Sequence, residues 1–148
     1  MSALSRGKID YHQYINSEEW RSKHPGFLAA ANYQCSAFPW CKVGKGAHYR
    51  CHHVSYANLG NEKYWWDVLC LSPFAHKHIV HGILSGYKRP SEQDYYPNRS
   101  QSLFHSYCRL PVPAKYAVMV FLFALAGYLG AGELGMAAGM LIVVLVLR

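Results

Sequence analysis

The sequence predicts an α+β domain followed by a transmembrane helical hairpin. Three observations carry that expectation. Residues 48–86 read in order as strand, turn, strand and helix. Those elements hold His48, His52, His53, His76, His78 and His81, a dense set for so short a stretch. Residues 114–147 are nearly all apolar or glycine, with Lys115 and Glu133 as the only charges. The chain of 148 residues therefore divides into a domain over 1–110, a linker over 111–115 and membrane-spanning sequence over 116–148.

Each element has a local reason. Residues 11–15 open the ordered region. Ser17 is placed to cap a helix whose first turn carries Glu18 and Glu19, acids that suit the positive end of the helix dipole. Pro25-Gly26 predicts an interruption, so two short helices are expected, the second over 27–32. Residues 35–46 hold Pro39, Gly44 and Gly46 and read as a loop. Residues 48–56, rich in aromatic, histidine and β-branched side chains, read as a strand. A turn over 58–61 and a second strand over 65–71 follow. Ser72-Pro73 starts a helix, with Ser72 as cap and Pro73 at the first helical position, and Ser85-Gly86 stops it. Residues 88–101 read as a polar loop. Pro111-Val112-Pro113 reads as a stiff connector.

The formal charge of +7 favours polyanions, either nucleic acid or an anionic membrane face. Five cysteines, an odd number, make no complete disulfide framework. Residues 1–10 lack the apolar stretch of a signal peptide, so reduced thiols in the cytoplasm are expected.

The order of residues resembles the HNH endonuclease family. Tyr11, Tyr14, Ser17 and Trp20 match its opening, and Tyr33-Gln34-Cys35 matches the entry to its cysteine knuckle. His52, His53, Tyr56, Gly60, Asn61 and Glu62 match its centre, and Asp67, Val68, Leu71 and His76 match its last block in register. The resemblance covers residues 11–82. It implies a ββα-metal domain that hydrolyses phosphodiester bonds of nucleic acid, DNA ahead of RNA. By that resemblance His52 is a metal ligand, His53 the general base, Asp67 the residue that orients the base, and His76 a second ligand.

Two departures stand out. The family's two Cys-x-x-Cys pairs become a stretched Cys35 and Cys41, with Ser72 and Ala75 at the second pair's positions. A four-thiolate structural zinc is therefore not expected, although Cys51 and Cys70 offer an altered site. The plain reading of these thiols is small, reduced, buried side chains. On the helix, the family often has a second histidine four residues after the first. Here that position is Val80, and the histidine is His81. On a regular α-helix His76 and His81 lie about 140° apart. Either the helix is locally distorted and His81 is a third ligand, or the metal keeps two protein ligands and more waters, as a magnesium-like ion tolerates.

The expected chemistry follows. A neutral imidazole at His53 takes the proton of the attacking water. A divalent ion (Mg²⁺, Mn²⁺ or Zn²⁺) stabilises the leaving group. Asp67 accepts the other N–H of His53. Lys42, Lys45, Arg50, Lys77, Lys88 and Arg89 contact phosphates without reading sequence. The expectation is a membrane-anchored, metal-dependent endonuclease; the alternative is a catalytically inactive module of the same fold that binds or assembles a membrane complex.

The apolar tail is long for one span and slightly short for two, since a span takes about 20 residues. Gly130, Gly132 and Gly135 around Glu133 suit a turn between two short helices; the alternative is one tilted span with an interfacial end. Gly135 and Gly139 have the small-xxx-small spacing that packs against a partner helix, in a homo-oligomer or another membrane protein. Lys88, Arg89, Arg109 and Lys115 before the tail, and Arg148 after it, place the domain on the cytoplasmic side of the membrane.

Overall fold

The computed structural model describes residues 10–84 and 97–146. It divides into two compact units, Met1–Ser106 and Tyr107–Arg148. The first unit combines helices with a small two-stranded sheet.

Helix α1 (Tyr11–Ile15) is capped by Asp10, whose Oδ1 accepts from Gln13 N at 2.8 Å. Helix α2 (Glu18–Ala30) starts as expected, with Ser17 Oγ accepting from Trp20 N at 3.1 Å. It does not break at Pro25. One helix replaces the two expected, and the reason is tertiary. Pro25 and Gly26 face solvent, whereas Trp20, Phe27 and Leu28 are buried. Burying each large apolar side chain contributes about 1.5–3 kcal/mol. Three of them together exceed the roughly 3 kcal/mol that an interior proline costs. The helix stops where Asn32 and Tyr33 adopt φ values of 51° and 55°.

Strands β1 (Arg50–His53) and β2 (Val68–Leu71) pair antiparallel, with His52 opposite Leu69 and His53 opposite Val68. Both are shorter than the sequence suggested. Trp65, expected inside the second strand, has φ 79° and donates its N–H to Val68 O at 2.9 Å, which makes a turn and delays the strand to Val68. Every residue of β2 is buried, and α2 packs against it.

Helix α3 (Ala75–Ile83) continues a helical turn that opens after Ser72, whose Oγ accepts from Ala75 N at 3.2 Å. Its body is wound as a π-helix, with i→i+5 bonding such as Leu84 N to Ile79 O at 2.9 Å. Helix α4 (Arg99–Cys108) was not foreseen, since residues 88–101 read as loop. Its signal was present. Asn98 and Gln101 form a reciprocal capping box, Gln101 N donating to Asn98 Oδ1 at 2.8 Å and Asn98 N to Gln101 Oε1 at 3.1 Å. Residues 88–96 lie outside the described residues.

In the second unit, α5 runs over Val112–Val146, 35 residues. It corrects two expectations. The helix starts at Val112, inside the expected linker, because a proline such as Pro113 is tolerated in a first helical turn. The backbone also continues as one helix through the expected hairpin turn. Among the described residues, Gly132 departs from it, at φ 63°. A glycine costs a helix only about 1 kcal/mol, and an apolar helix satisfies its backbone groups internally. Val112–Gly130, 19 residues, is by itself long and apolar enough to cross a membrane. Phe121, Leu122, Leu125, Tyr128 and Leu129 on this segment are exposed.

Candidate metal centre

Strand β1 presents His52 and His53 to opposite faces of the hairpin, because side chains alternate along a strand. Each is only 4% exposed. Their nearest neighbours differ.

On the His52 face, α3 supplies His76 and His81. One ligand atom from each of His52, His76 and His81 lies within 4.8 Å of the others, so the three can hold a metal ion. The π-winding accounts for His81. An i→i+5 turn stacks residues five apart, and the His76 and His81 rings stand 4.5 Å apart between centroids. A regular α-helix would have splayed them by about 140°. Of the two alternatives the sequence left open, the distorted helix is the one adopted. Gly82 takes part in this winding, since a Cβ there would meet Lys77 O at 3.3 Å.

A fourth histidine, not anticipated, arrives on α4. His105 is 1% exposed, and its Nε2 is 3.1 Å from His52 Nε2. Burial, followed by the neighbouring imidazoles His105, His76 and His81, holds His52 well below the usual histidine range. Burial, then His81 and Arg50, lowers His76 to about 4, and burial lowers His81. His52, His76 and His81 are therefore neutral near pH 7, the form in which imidazole binds a metal.

On the other face, His53 stacks on Trp20 with ring centroids 4.3 Å apart and meets Tyr11 edge-on at 6.0 Å. Its Nε2 donates to Glu62 Oε1 at 3.4 Å. That bond selects the tautomer with its lone pair on Nδ1. Burial lowers the His53 pKa against the opposing pull of Glu62 and, less strongly, Asp67. Glu62 is the hub of this face. Its Oε2 accepts from Lys23 Nζ and Tyr14 Oη, both at 2.8 Å, and its Oε1 from Gly60 N at 2.9 Å. Burial pushes Glu62 up, but these bonds prevail and hold it at about 2. Burial also pulls Lys23 down, yet its bonds to Glu62 and Tyr14 leave it raised.

Asp67 is placed differently from expectation. Its carboxylate accepts from Asn58 Nδ2 and Lys63 N, each at 2.9 Å, and so braces the turn between the strands. The carboxylate hydrogen-bonded to His53 is that of Glu62, which the sequence reading matched to a motif without giving it a role.

His53 and His76 both reach a cleft of about 500 Å³, whose walls also include Trp20, His24, Tyr49 and Arg50. Arg50 thus lies at the cleft. Lys42, Lys45 and Lys77 are exposed, with Lys45 Nζ 4.0 Å from the centre of the Tyr33 ring. Lys88 and Arg89 lie outside the described residues. The five cysteines are free thiols. Cys51 and Cys70 face each other across the hairpin, and their hydrogen bond, with burial, pushes the Cys51 thiol up. Among the described residues, the group of three or more ligands that converges is the histidine one.

Comparison with family models, with curated proteins and with solved structures finds no match to this chain.

Proposed function

We propose that this chain is a membrane-anchored, metal-dependent endonuclease of the HNH type, with a ββα-metal site built from β1, β2 and α3. The observation that carries the reading is the pairing of two different histidine sites on adjacent residues. His52, with His76 and His81, forms a neutral ligand set, while His53, held by Glu62, lies in the cleft that His76 also reaches. A divalent ion in the ligand set would neutralise charge on the leaving oxygen of a phosphodiester. His53 takes the proton of the attacking water, and the Glu62 carboxylate keeps its ring in one tautomer. Arg50 at the cleft, with Lys42, Lys45 and Lys77, attracts the phosphate backbone of DNA or RNA. The first 19 residues of α5, long and apolar enough to span, would anchor the protein, and the basic residues before it favour the cytoplasmic side.

A second reading, an inactive module that assembles a membrane complex, is favoured by the deep burial of His52 and His53. Plasmid nicking by the detergent-solubilised full chain, with Mg²⁺, Mn²⁺ or Zn²⁺, separates the two. The parent should nick DNA, and His53→Ala should not. A parent inert with every ion supports the module. A His53→Ala variant as fast as the parent removes His53 as the base. For sidedness, a membrane-impermeant thiol reagent added to intact cells should leave Lys42→Cys unlabelled, and labelling would reverse the placement.

A further inference from the structure

His52 is ringed by three imidazoles at nearly equal distances. Its ring centroid lies 5.2 Å from that of His105, 5.4 Å from His76 and 5.5 Å from His81. The contact with His105 is 3.1 Å from Nε2 to Nε2, so His105 joins the converging set of His52, His76 and His81 through His52. Two nitrogens bound at about 2.0–2.1 Å to one tetrahedral ion stand about 3.3 Å apart. The His52–His105 separation is close to that value.

His105 is held in place by a separate device. Gln101, one helical turn earlier on the same face of α4, is 4% exposed and donates its Nε2 hydrogen to Val80 O at 3.2 Å. Val80 is the residue before His81. The bond therefore ties α4 to the ligand-bearing part of α3, and the Asn98–Gln101 capping box fixes where α4 starts. Ligands set by helix packing and a buried hydrogen bond are preorganised.

We propose that His105 is the fourth ligand of this centre, closing a four-imidazole site that takes Zn²⁺ or another first-row transition ion of similar softness rather than Mg²⁺. The proposal rests on the reading of His52, His76 and His81 as ligands and deepens it. Imidazole nitrogen suits zinc, copper, iron and nickel, whereas magnesium prefers oxygen and keeps several waters. Hydrolytic zinc sites usually leave one position open, and four protein ligands fill a tetrahedral shell. With His105 bound the tetrahedral shell is full, and an external ligand enters only by expanding that shell to five or by replacing His105.

The test uses the full chain in detergent, loaded with Co²⁺ or Zn²⁺, and none of its readouts is cleavage. X-ray absorption should count four imidazoles in the parent and three in His105→Ala. Chelator competition should show affinity lower by about 100-fold or more in the variant, beyond the 10–100-fold typical of an outer-shell partner. Azide should perturb the Co²⁺ absorption spectrum of the variant and leave that of the parent unchanged, and excess Mg²⁺ should not displace the ion from the parent. Three imidazoles in the parent, with azide reaching its ion, would overturn the fourth ligand while leaving the three-histidine centre standing. A parent that holds no transition metal at all would overturn both. The imidazole count in the parent decides the matter even if His105→Ala fails to fold.

Discussion

His52 and His53 are neighbours on one strand, and they sit in opposite electrostatic worlds. His52 faces imidazoles from α3 and α4, which together with burial oppose a proton on it. His53 faces aromatic rings and the Glu62 carboxylate, itself tied to Lys23 and Tyr14. One face suits a metal ion because its imidazoles are kept neutral. The other holds a single tautomer because a carboxylate receives its N–H. Two adjacent residues of the same type acquire different chemistry because the pleat sends them to different neighbours.

The comparison breaks most sharply by exchange of the two roles. His53→Ala should lower cleavage by about 10²–10⁴-fold, the usual worth of a general base, with metal affinity nearly unchanged. His52→Ala should instead weaken metal binding. Nicking rates and chelator competition on the two variants check both directions, and a His53→Ala chain that loses its metal would merge the two faces into one site.

Glu62→Gln should be the next largest effect. It removes the partner of Lys23 in a pair where the Glu62 side chain is 1% exposed and the Lys23 side chain 25%. Breaking such a pair costs about 3 kcal/mol, the low end for buried pairs because Lys23 keeps some solvent. Urea unfolding followed by tryptophan fluorescence reads this, since Trp20 stacks on His53. The metal affinity of the other face should stay constant.

Acid should dismantle the two faces in different windows. His76 sits at about 4, below the ordinary 6.5 it regains on unfolding. The unfolded chain therefore binds more protons between those values, and the metal-free protein loses stability as pH falls from about 6.5 towards 4. Glu62 sits at about 2, against an ordinary 4.5. Its contribution is complete above about 4.5 and is lost only as pH falls towards 2. Unfolding free energy measured against pH should show both steps, with His76→Ala diminishing the upper one and Glu62→Gln the lower. A single step unaffected by either variant would contradict the assignment.

Gly82→Ala should be the mildest change. The new Cβ would crowd Lys77 O at 3.3 Å, while alanine favours a regular helix by about 1 kcal/mol. Both push α3 away from π-winding and swing His81 off the His76 face. Metal affinity should fall by about tenfold, within the range typical of residues that orient ligands, with cleavage chemistry at His53 intact at saturating metal.

Local signals exposed a good part of this design. The Ser17 and Ser72 caps, the hairpin carrying His52-His53 and the apolar tail were all legible, because each depends on neighbours within a few residues. Pro25 misled because its cost was judged without the burial of Trp20, Phe27 and Leu28. The hairpin in the tail misled because three glycines were weighed as a stop, although an apolar helix tolerates them. Helix α4 was readable in Asn98-x-x-Gln101, and passing over that box also hid His105.

What the chain settles by itself is the supply of groups. Paired histidines at a strand's end, a Ser-Pro helix start, a basic domain and a largely apolar 19-residue segment long enough for a membrane are all written locally. Tertiary structure alone decides who meets whom. It selects Glu62 over Asp67 as the partner of His53, because the turn at 58–63 consumes the Asp67 carboxylate. It brings His81 beside His76 by winding α3 as a π-helix, and it carries His105 across 53 positions to within 3.1 Å of His52. Spacing along a chain predicts a shared face only for a regular helix or strand, and both of the histidines that complete this cluster depend on departures from that regularity or on contacts far apart in sequence.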